Sequence, residues 1–151
     1  MIQKKYNPDE IGRRILNGDG GSWIKEPYDD EAVFQLDRYH IYQEILRKIS
    51  SKAVQKDIRR LFDSEKTEEM FAYIREYIRV SKSEDESDKT CKKAEELYAY
   101  LYNNREGLLP YYKRGIKLPE PVEGIIYKNM GIQETQNCTL ITLRMKHRRM
   151  R

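Results

Sequence analysis

Two short apolar runs, each stopped by an aspartate, constrain this chain more than any other feature. Ile15-Leu16 runs into Asn17-Gly18-Asp19-Gly20-Gly21, and Ala32-Val33-Phe34-Gln35-Leu36 runs into Asp37. Gly18, Gly20 and Gly21 together break any regular element. Between the two runs, Ser22 can cap a short helix through Trp23, Ile24 and Lys25, which Pro27 and Asp29-Asp30-Glu31 would end. Strand, glycine turn, short helix and strand predict a compact parallel β-α-β unit, near the lower limit of length for such a crossover. Two strands do not make a stable sheet alone, and a parallel pair is normally covered on both faces. The unit therefore reads as part of a larger sheet.

From Ile41 the period becomes helical. Ile41, Ile45, Leu46, Ile49, Ala53, Ile58 and Leu61 recur at steps of three and four, mostly on one face. Met70, Phe71, Ile74, Tyr77 and Ile78 predict a second helix, and Ala94, Leu97, Tyr98, Leu101 and Tyr102 a third, ending at Asn103-Asn104. Ser81 to Asp88 carries no apolar residue and reads as an exposed loop. Glu106 to Tyr112 adds a short helix, Pro119 and Pro121 bound a linker, and a last helix runs from about Glu134 into the C-terminal residues. The expected class is α/β, mostly helical. It divides into a β-α-β segment over 1–40, a helical block over 41–118 and a return segment over 119–151.

Composition narrows the function classes. Charged residues make up 36% of the 151, against a typical ~25%. No run approaches the ~18 apolar residues of a membrane helix, which argues against a membrane partner. Met1-Ile2-Gln3-Lys4-Lys5 lacks the apolar core of a signal peptide, so the expectation is a cytoplasmic protein. Cys91 and Cys138 are single and far apart, which excludes a disulfide scaffold and a cysteine-only zinc site. The net charge is +4, and the last residues concentrate it. Arg144, Lys146, Arg148, Arg149 and Arg151 stand together with no acid among them. Such a block suits nucleic-acid phosphates or is simply a solvated end.

Chemistry-bearing residues gather at the strand ends. In an open parallel sheet the carboxyl ends of the strands form the ligand edge, and two aspartates there can share a hard divalent cation. Asp19 and Asp37 occupy such positions, although aspartates also serve turns and strand ends by local hydrogen bonding. His40 follows Asp37 by three residues. It reads as a metal ligand, a phosphate partner or an ordinary helix-start histidine. The only other histidine is His147, which argues against zinc. Glu134 is a possible third acid or merely favours a helix dipole. No Gly-x-x-x-x-Gly-Lys-Ser/Thr loop, dinucleotide fingerprint or serine triad is present.

The ordered set Leu16-Asn17-Gly18-Asp19-Gly20-Gly21-Ser22-Trp23-Ile24-Lys25, Gln35-Leu36-Asp37-Arg38-Tyr39-His40, Tyr100 to Leu108, Asn129 to Asn137 and Arg144-Met145-Lys146 resembles the C-terminal part of bacterial insertion-sequence transposases of the ISLre-two type. These also stand as a family of uncharacterised bacterial proteins. The resemblance implies a partial RNase H-like core of the DDE type with an α-helical insertion over 41–118. It implies Asp19, Glu134, Asp37 and His40 as catalytic residues, with Asp19 and Glu134 binding Mg²⁺ and Asp37 with His40 forming an Asp-x-x-His signature. Arg144, Lys146, Arg148, Arg149 and Arg151 would face DNA phosphates. The reaction implied is metal-dependent cleavage of DNA ends and their transfer to a target. DNA (transposon ends and target) is the implied partner, and a full-length transposase is a second.

The family's first acid lies on an earlier strand. Here only eighteen residues precede Asp19, and Asp9 among them sits in a proline turn. The expectation is therefore a truncated transposase-family chain, catalytically incomplete by itself. The alternative is a non-catalytic DNA-binding or regulatory fragment acting through the basic C-terminal residues.

Overall fold

The computed structural model describes residues 11–21, 32–83, 88–121, 123–124 and 126–128. Two strands, β1 (Arg14–Gly18) and β2 (Ala32–Leu36), pair in parallel with Arg14 opposite Ala32 and Gly18 opposite Leu36. Four α-helices follow: α1 (Arg38–Lys48), α2 (Lys52–Asp63), α3 (Thr67–Ser83) and α4 (Asp88–Asn103). Two 3₁₀ turns, Arg105–Gly107 and Tyr111–Lys113, then carry the chain back to β2. The fold is thus a mostly helical α/β arrangement. The parallel pairing agrees with the reading of the two apolar runs. The crossover helix expected over Ser22–Lys25 and the final helix from Glu134 lie outside the described residues.

Periodicity located the helices but merged two of them. The segment 41–61 is not one helix, because the backbone turns extended at Ile49 and α2 restarts at Ser51. The Ser51 hydroxyl accepts from Val54 N at 3.5 Å, and Gln55 Nε2 donates to Ile49 O at 2.6 Å, filling groups a continuous helix would have paired. Leu46 and Ala53, assigned above to the apolar face, are exposed as a result. The loop expected from Ser81 starts later, since α3 runs to Ser83 and Ser81 is buried. The short helix expected over Glu106–Tyr112 is instead the two 3₁₀ turns, with Pro110 extended between them.

The core lies between the helices and one end of β2. Leu36, Ile41, Ile45, Ile58, Met70 and Leu97 have no exposed surface. Helix α4 packs on both α1 and α3, and α2 on α3. Phe71, Tyr98 and Tyr102 form a ring cluster with centroids 5.5–5.9 Å apart. Ring pairs of this geometry add specificity to the α3–α4 contact.

A buried polar clasp fixes β2 to the return turns. Gln35 is 4% exposed. Its Nε2 donates to Gly107 O at 2.7 Å, and its Oε1 accepts from Tyr111 N and Arg114 Nη2, each at 2.8 Å. Arg114 Nη1 donates to Phe34 O at 2.6 Å, and its Nε to Leu109 O at 2.8 Å. Burial lowers the Arg114 pKa from its ordinary value. A Cβ on Gly107 would lie 2.9 Å from Leu36 N and from the Phe34 ring, so only glycine lets the turn approach the strand this closely. This clasp orients the edge on which β1 and β2 end.

Candidate functional site

Asp19 and Asp37 each follow directly on the last residue of a strand. Gly18 O accepts from Asp37 N at 2.8 Å, which carries the pairing one residue past the strands. The sheet therefore delivers both aspartates to one edge, as the strand reading predicts. Their surroundings then differ.

Asp37 is 5% exposed. Helix α1 starts immediately after it, so its side chain becomes the N-cap: Oδ1 accepts from Tyr39 N at 2.8 Å. Oδ2 accepts from Asn17 Nδ2, also at 2.8 Å. Asn17 stands on β1, so this one carboxylate joins β1, β2 and α1.

Asp19 is exposed. The chain after it turns through Gly20 at φ +84°, a conformation that no helix start uses and that glycine accepts without strain. The carboxylate Oδ1 accepts from Gly21 N at 2.9 Å, a local Asx turn. Helix α4 braces this turn from the far end of the helical block. The Tyr100 hydroxyl donates to Asp19 O at 2.8 Å, and Asn104 Nδ2 donates to Tyr100 O at 2.8 Å. Asn104 is 5% exposed, and its Oδ1 has no hydrogen-bond partner among the described residues. A Cβ on Gly20 would lie 2.6 Å from that oxygen.

Asp19 opens onto a cleft of about 320 Å³, lined also by Gly20, His40, Glu44, Arg47 and Tyr100. His40, Glu44 and Arg47 stand at steps of four and three on α1 and so share one face. His40 is half-buried, with its ring edge-on to Tyr39 at 5.6 Å. Arg47 pairs with Glu44 at 2.5 Å. Tyr100 is held strongly toward its neutral form, first by burial and then by the negative charges of Glu44, Asp19 and Asp37. It is therefore a hydrogen-bond donor at neutral pH and not a base.

Glu134 and the basic residues Arg144, Lys146, Arg148, Arg149 and Arg151 lie outside the described residues. Of the expected metal pair, the described residues supply Asp19. Among them no three His, Cys, Asp or Glu side chains gather to hold a metal ion. Asp37 spends both carboxylate oxygens on protein donors. The described residues alone do not complete a magnesium site.

Sequence reasoning missed Glu44, Arg47, Tyr100 and Asn104 as neighbours of Asp19. For Glu44 and Arg47 the signal was present, since both continue the helical face that starts at His40. For Tyr100 and Asn104 the resemblance singled out their stretch, but nothing local set it beside Asp19, because 81 residues separate Tyr100 from Asp19. Cys91, the one cysteine among the described residues, is free and buried against Ile78 O. No helix among the described residues is long and apolar enough to cross a membrane.

A parallel strand pair ending in two aspartates, with a helical block folded over its edge, defines an α/β protein with an acid-bearing strand-end cleft. The chain belongs to UPF0236, an uncharacterised protein family whose profile matches residues 1–145. It is 31% identical over 113 residues to a UPF0236 protein of Caldanaerobacter subterraneus subsp. tengcongensis, covering 73% of this chain and 23% of that protein. The name of that relative carries eleven gene designations of the one organism. A second UPF0236 protein of the same organism is 30% identical over 113 residues, with 73% of this chain and 24% of the relative covered. The chain thus spans about a quarter of the length of the curated relatives it matches. No solved structure matches it.

Proposed function

We propose that these residues are part of an RNase H-like catalytic domain of a DDE-type transposase, with Asp19 as one of its acids. The observation that carries this reading is Asp19 itself: an exposed carboxylate at the end of a parallel strand, turned into a cleft beside His40. A nuclease or transferase acid must be reachable by DNA and by a hard cation, and Asp19 meets that condition. The multiple gene designations of one relative add support. Repeated copies of one coding sequence in a genome are what a mobile element leaves behind.

The proposed roles divide along the geometry. Asp19 and Glu134 are the metal acids. Mg²⁺ bound to such carboxylates would polarise a phosphodiester and activate the attacking oxygen. His40 lines the same cleft and is the proposed partner of a phosphate oxygen. Asp37 holds β1, β2 and the start of α1 in register, so that Asp19 and His40 share that cleft. Arg144, Lys146, Arg148, Arg149 and Arg151 are proposed contacts to DNA, both transposon ends and target. Of the proposed acids the described residues supply Asp19, so activity is proposed for an assembly in which further strands complete the sheet, with a full-length transposase as the natural partner.

The test is excision of a marked element in cells, driven by the family protein that carries these residues. Asp19→Asn should abolish excision while the protein accumulates normally. Excision at the wild-type rate in the Asp19→Asn variant would overturn the proposal.

A further inference from the structure

Helix α2 carries four lysine and arginine residues, more than any other described helix, and the strand-end cleft makes no use of them. Lys52, Lys56, Arg59 and Arg60 stand at steps of four, three and one. At ~100° per residue they fall within about 100° of arc. The buried residues Ile58 and Phe62 point the opposite way, into the core. All four cations are exposed, and they line an open groove of about 470 Å³.

Nearby acids do not cancel this face. Asp63 lies within the same arc, but its carboxylate is bonded to Arg38 and to the Tyr42 hydroxyl. Asp57 lies at the edge, taken by Arg60 at 3.1 Å and by the Tyr73 hydroxyl. Lys52, Lys56 and Arg59 have no carboxylate partner among the described residues. Arg59 is also held in place, its guanidinium 4.7 Å from the centroid of the Tyr42 ring. A fixed guanidinium loses less side-chain freedom on binding than a free one.

We propose that this face of α2 docks the phosphate backbone of duplex DNA through Lys52, Lys56 and Arg59. Seven residues of helix span about 10 Å, and over that length B-DNA presents about six phosphates. Three cations at this spacing can each meet a separate phosphate. Lys52 and Lys56 are point charges and the Arg59 guanidinium is held over the Tyr42 ring, so the contact positions the duplex without reading its sequence. The proposal goes beyond the catalytic reading, since it uses neither Asp19 nor a metal ion.

The test is fluorescence anisotropy of a labelled random-sequence duplex with the full chain, in EDTA, across a salt series. EDTA removes any metal-dependent contact at the strand ends, so failure here is separate from failure of the catalytic proposal. Three phosphate contacts contribute about 2.7 to the slope of log affinity against log salt, or about fortyfold between 50 and 200 mM. The Lys52→Gln/Lys56→Gln/Arg59→Gln variant should lose that share of the slope, and each single variant about 0.9. The charge-preserving Lys52→Arg/Lys56→Arg/Arg59→Lys variant should keep it. Helicity by circular dichroism should be unchanged in all of them, and the single variants carry the test if the triple variant loses helicity.

Several results would overturn the proposal. One is absence of DNA binding by the wild-type chain. Another is an unchanged slope in the triple and single variants while replacement of Arg144, Lys146, Arg148, Arg149 and Arg151 removes binding. A third is an equal loss of slope in Lys89→Gln/Lys92→Gln/Lys93→Gln, which takes the same charge from α4. Equal binding of polyglutamate would reassign the face to an acidic polypeptide.

Discussion

The turn after β1 and the turn after β2 set the same residue type at the same point of two paired strands, and put it to opposite uses. Asp37 is 5% exposed, bonded by Asn17 and Tyr39, and followed at once by α1. Asp19 is exposed, its side chain bonded among the described residues to Gly21 N two residues on, and followed by a left-handed glycine. What separates them is the path of the backbone one residue later. A helix that begins immediately recruits the aspartate as a cap, and a turn that cannot begin a helix leaves the carboxylate for solvent and ligands. Position at the ligand edge of a parallel sheet therefore makes an acid a candidate, and the local backbone decides whether it is available.

Removing Asp37 should produce the largest effect of the substitutions that probe this contrast. Asp37→Ala deletes a helix cap and the carboxylate that accepts from Asn17 Nδ2. Caps contribute about 1 kcal/mol and a hydrogen bond to a charged group about 1.5–3. The expected loss is about 2–4 kcal/mol of unfolding free energy, read by urea denaturation with an unchanged m-value. A loss under about 1 kcal/mol would mean that the strand junction does not depend on this carboxylate.

Gly20→Ala probes the other turn. It places a Cβ 2.6 Å from the buried Asn104 oxygen and forces a side chain onto φ +84°. The left-handed conformation alone costs roughly 1–2 kcal/mol for a non-glycine residue. The same measurement should show at least that loss. A neutral result would mean that the turn relaxes and Asp19 is less firmly set than its contacts with α4 indicate.

Tyr100→Phe removes one hydrogen bond to Asp19 O, worth about 1 kcal/mol. It also sharpens the pH profile. Burial, with Glu44, Asp19 and Asp37, raises the Tyr100 pKa above its ordinary 10.0 in the folded chain. Above about pH 10 the unfolded chain gives up this proton while the folded chain keeps it. The folded state then binds more protons, so the stability contributed by Tyr100 is complete below pH 10 and lost as the pH rises further. The difference between wild type and Tyr100→Phe should be constant from pH 7 to about 9 and shrink above 10. Tyr42, Tyr73 and Tyr111 are also raised, so only that difference isolates Tyr100.

The parts of this site that were legible in the sequence are those set by neighbours along the chain. Short apolar runs and turn residues located β1 and β2, and the glycine cluster marked the Asp19 turn. Helical spacing located Ile45, Ile74 and Leu97 in the core, where they are fully buried. The break between α1 and α2 was not legible, because Ser51 is one serine among several and its capping role appears only with Val54 and Gln55 in place. The contrast between Asp19 and Asp37 was half legible. Asp37 precedes a helical pattern and Asp19 precedes glycine, yet the Asn17 bond that buries one of them comes from the neighbouring strand. The Gln35–Arg114 clasp was invisible, since a glutamine in a strand carries no local sign that a return turn 72 residues later will meet it.

The smallest effect on stability should come from Asp19 itself. Among the described residues its side chain makes one local bond at the surface, and no helix start or neighbouring strand there depends on it. Exposed substitutions of this kind usually stay within about 0.5 kcal/mol. The Tyr100 bond falls on the Asp19 backbone oxygen, so Asp19→Ala leaves it in place. Asp19→Ala should therefore unfold at nearly the wild-type urea midpoint while excision is lost. Asp37→Ala should lower the midpoint, and its effect on excision should follow the amount of folded protein. If Asp19→Ala instead destabilised the chain as much as Asp37→Ala, the contrast between the two turns would fail. Asp19 would then be a structural acid like its neighbour, and the catalytic reading would lose the observation on which it stands.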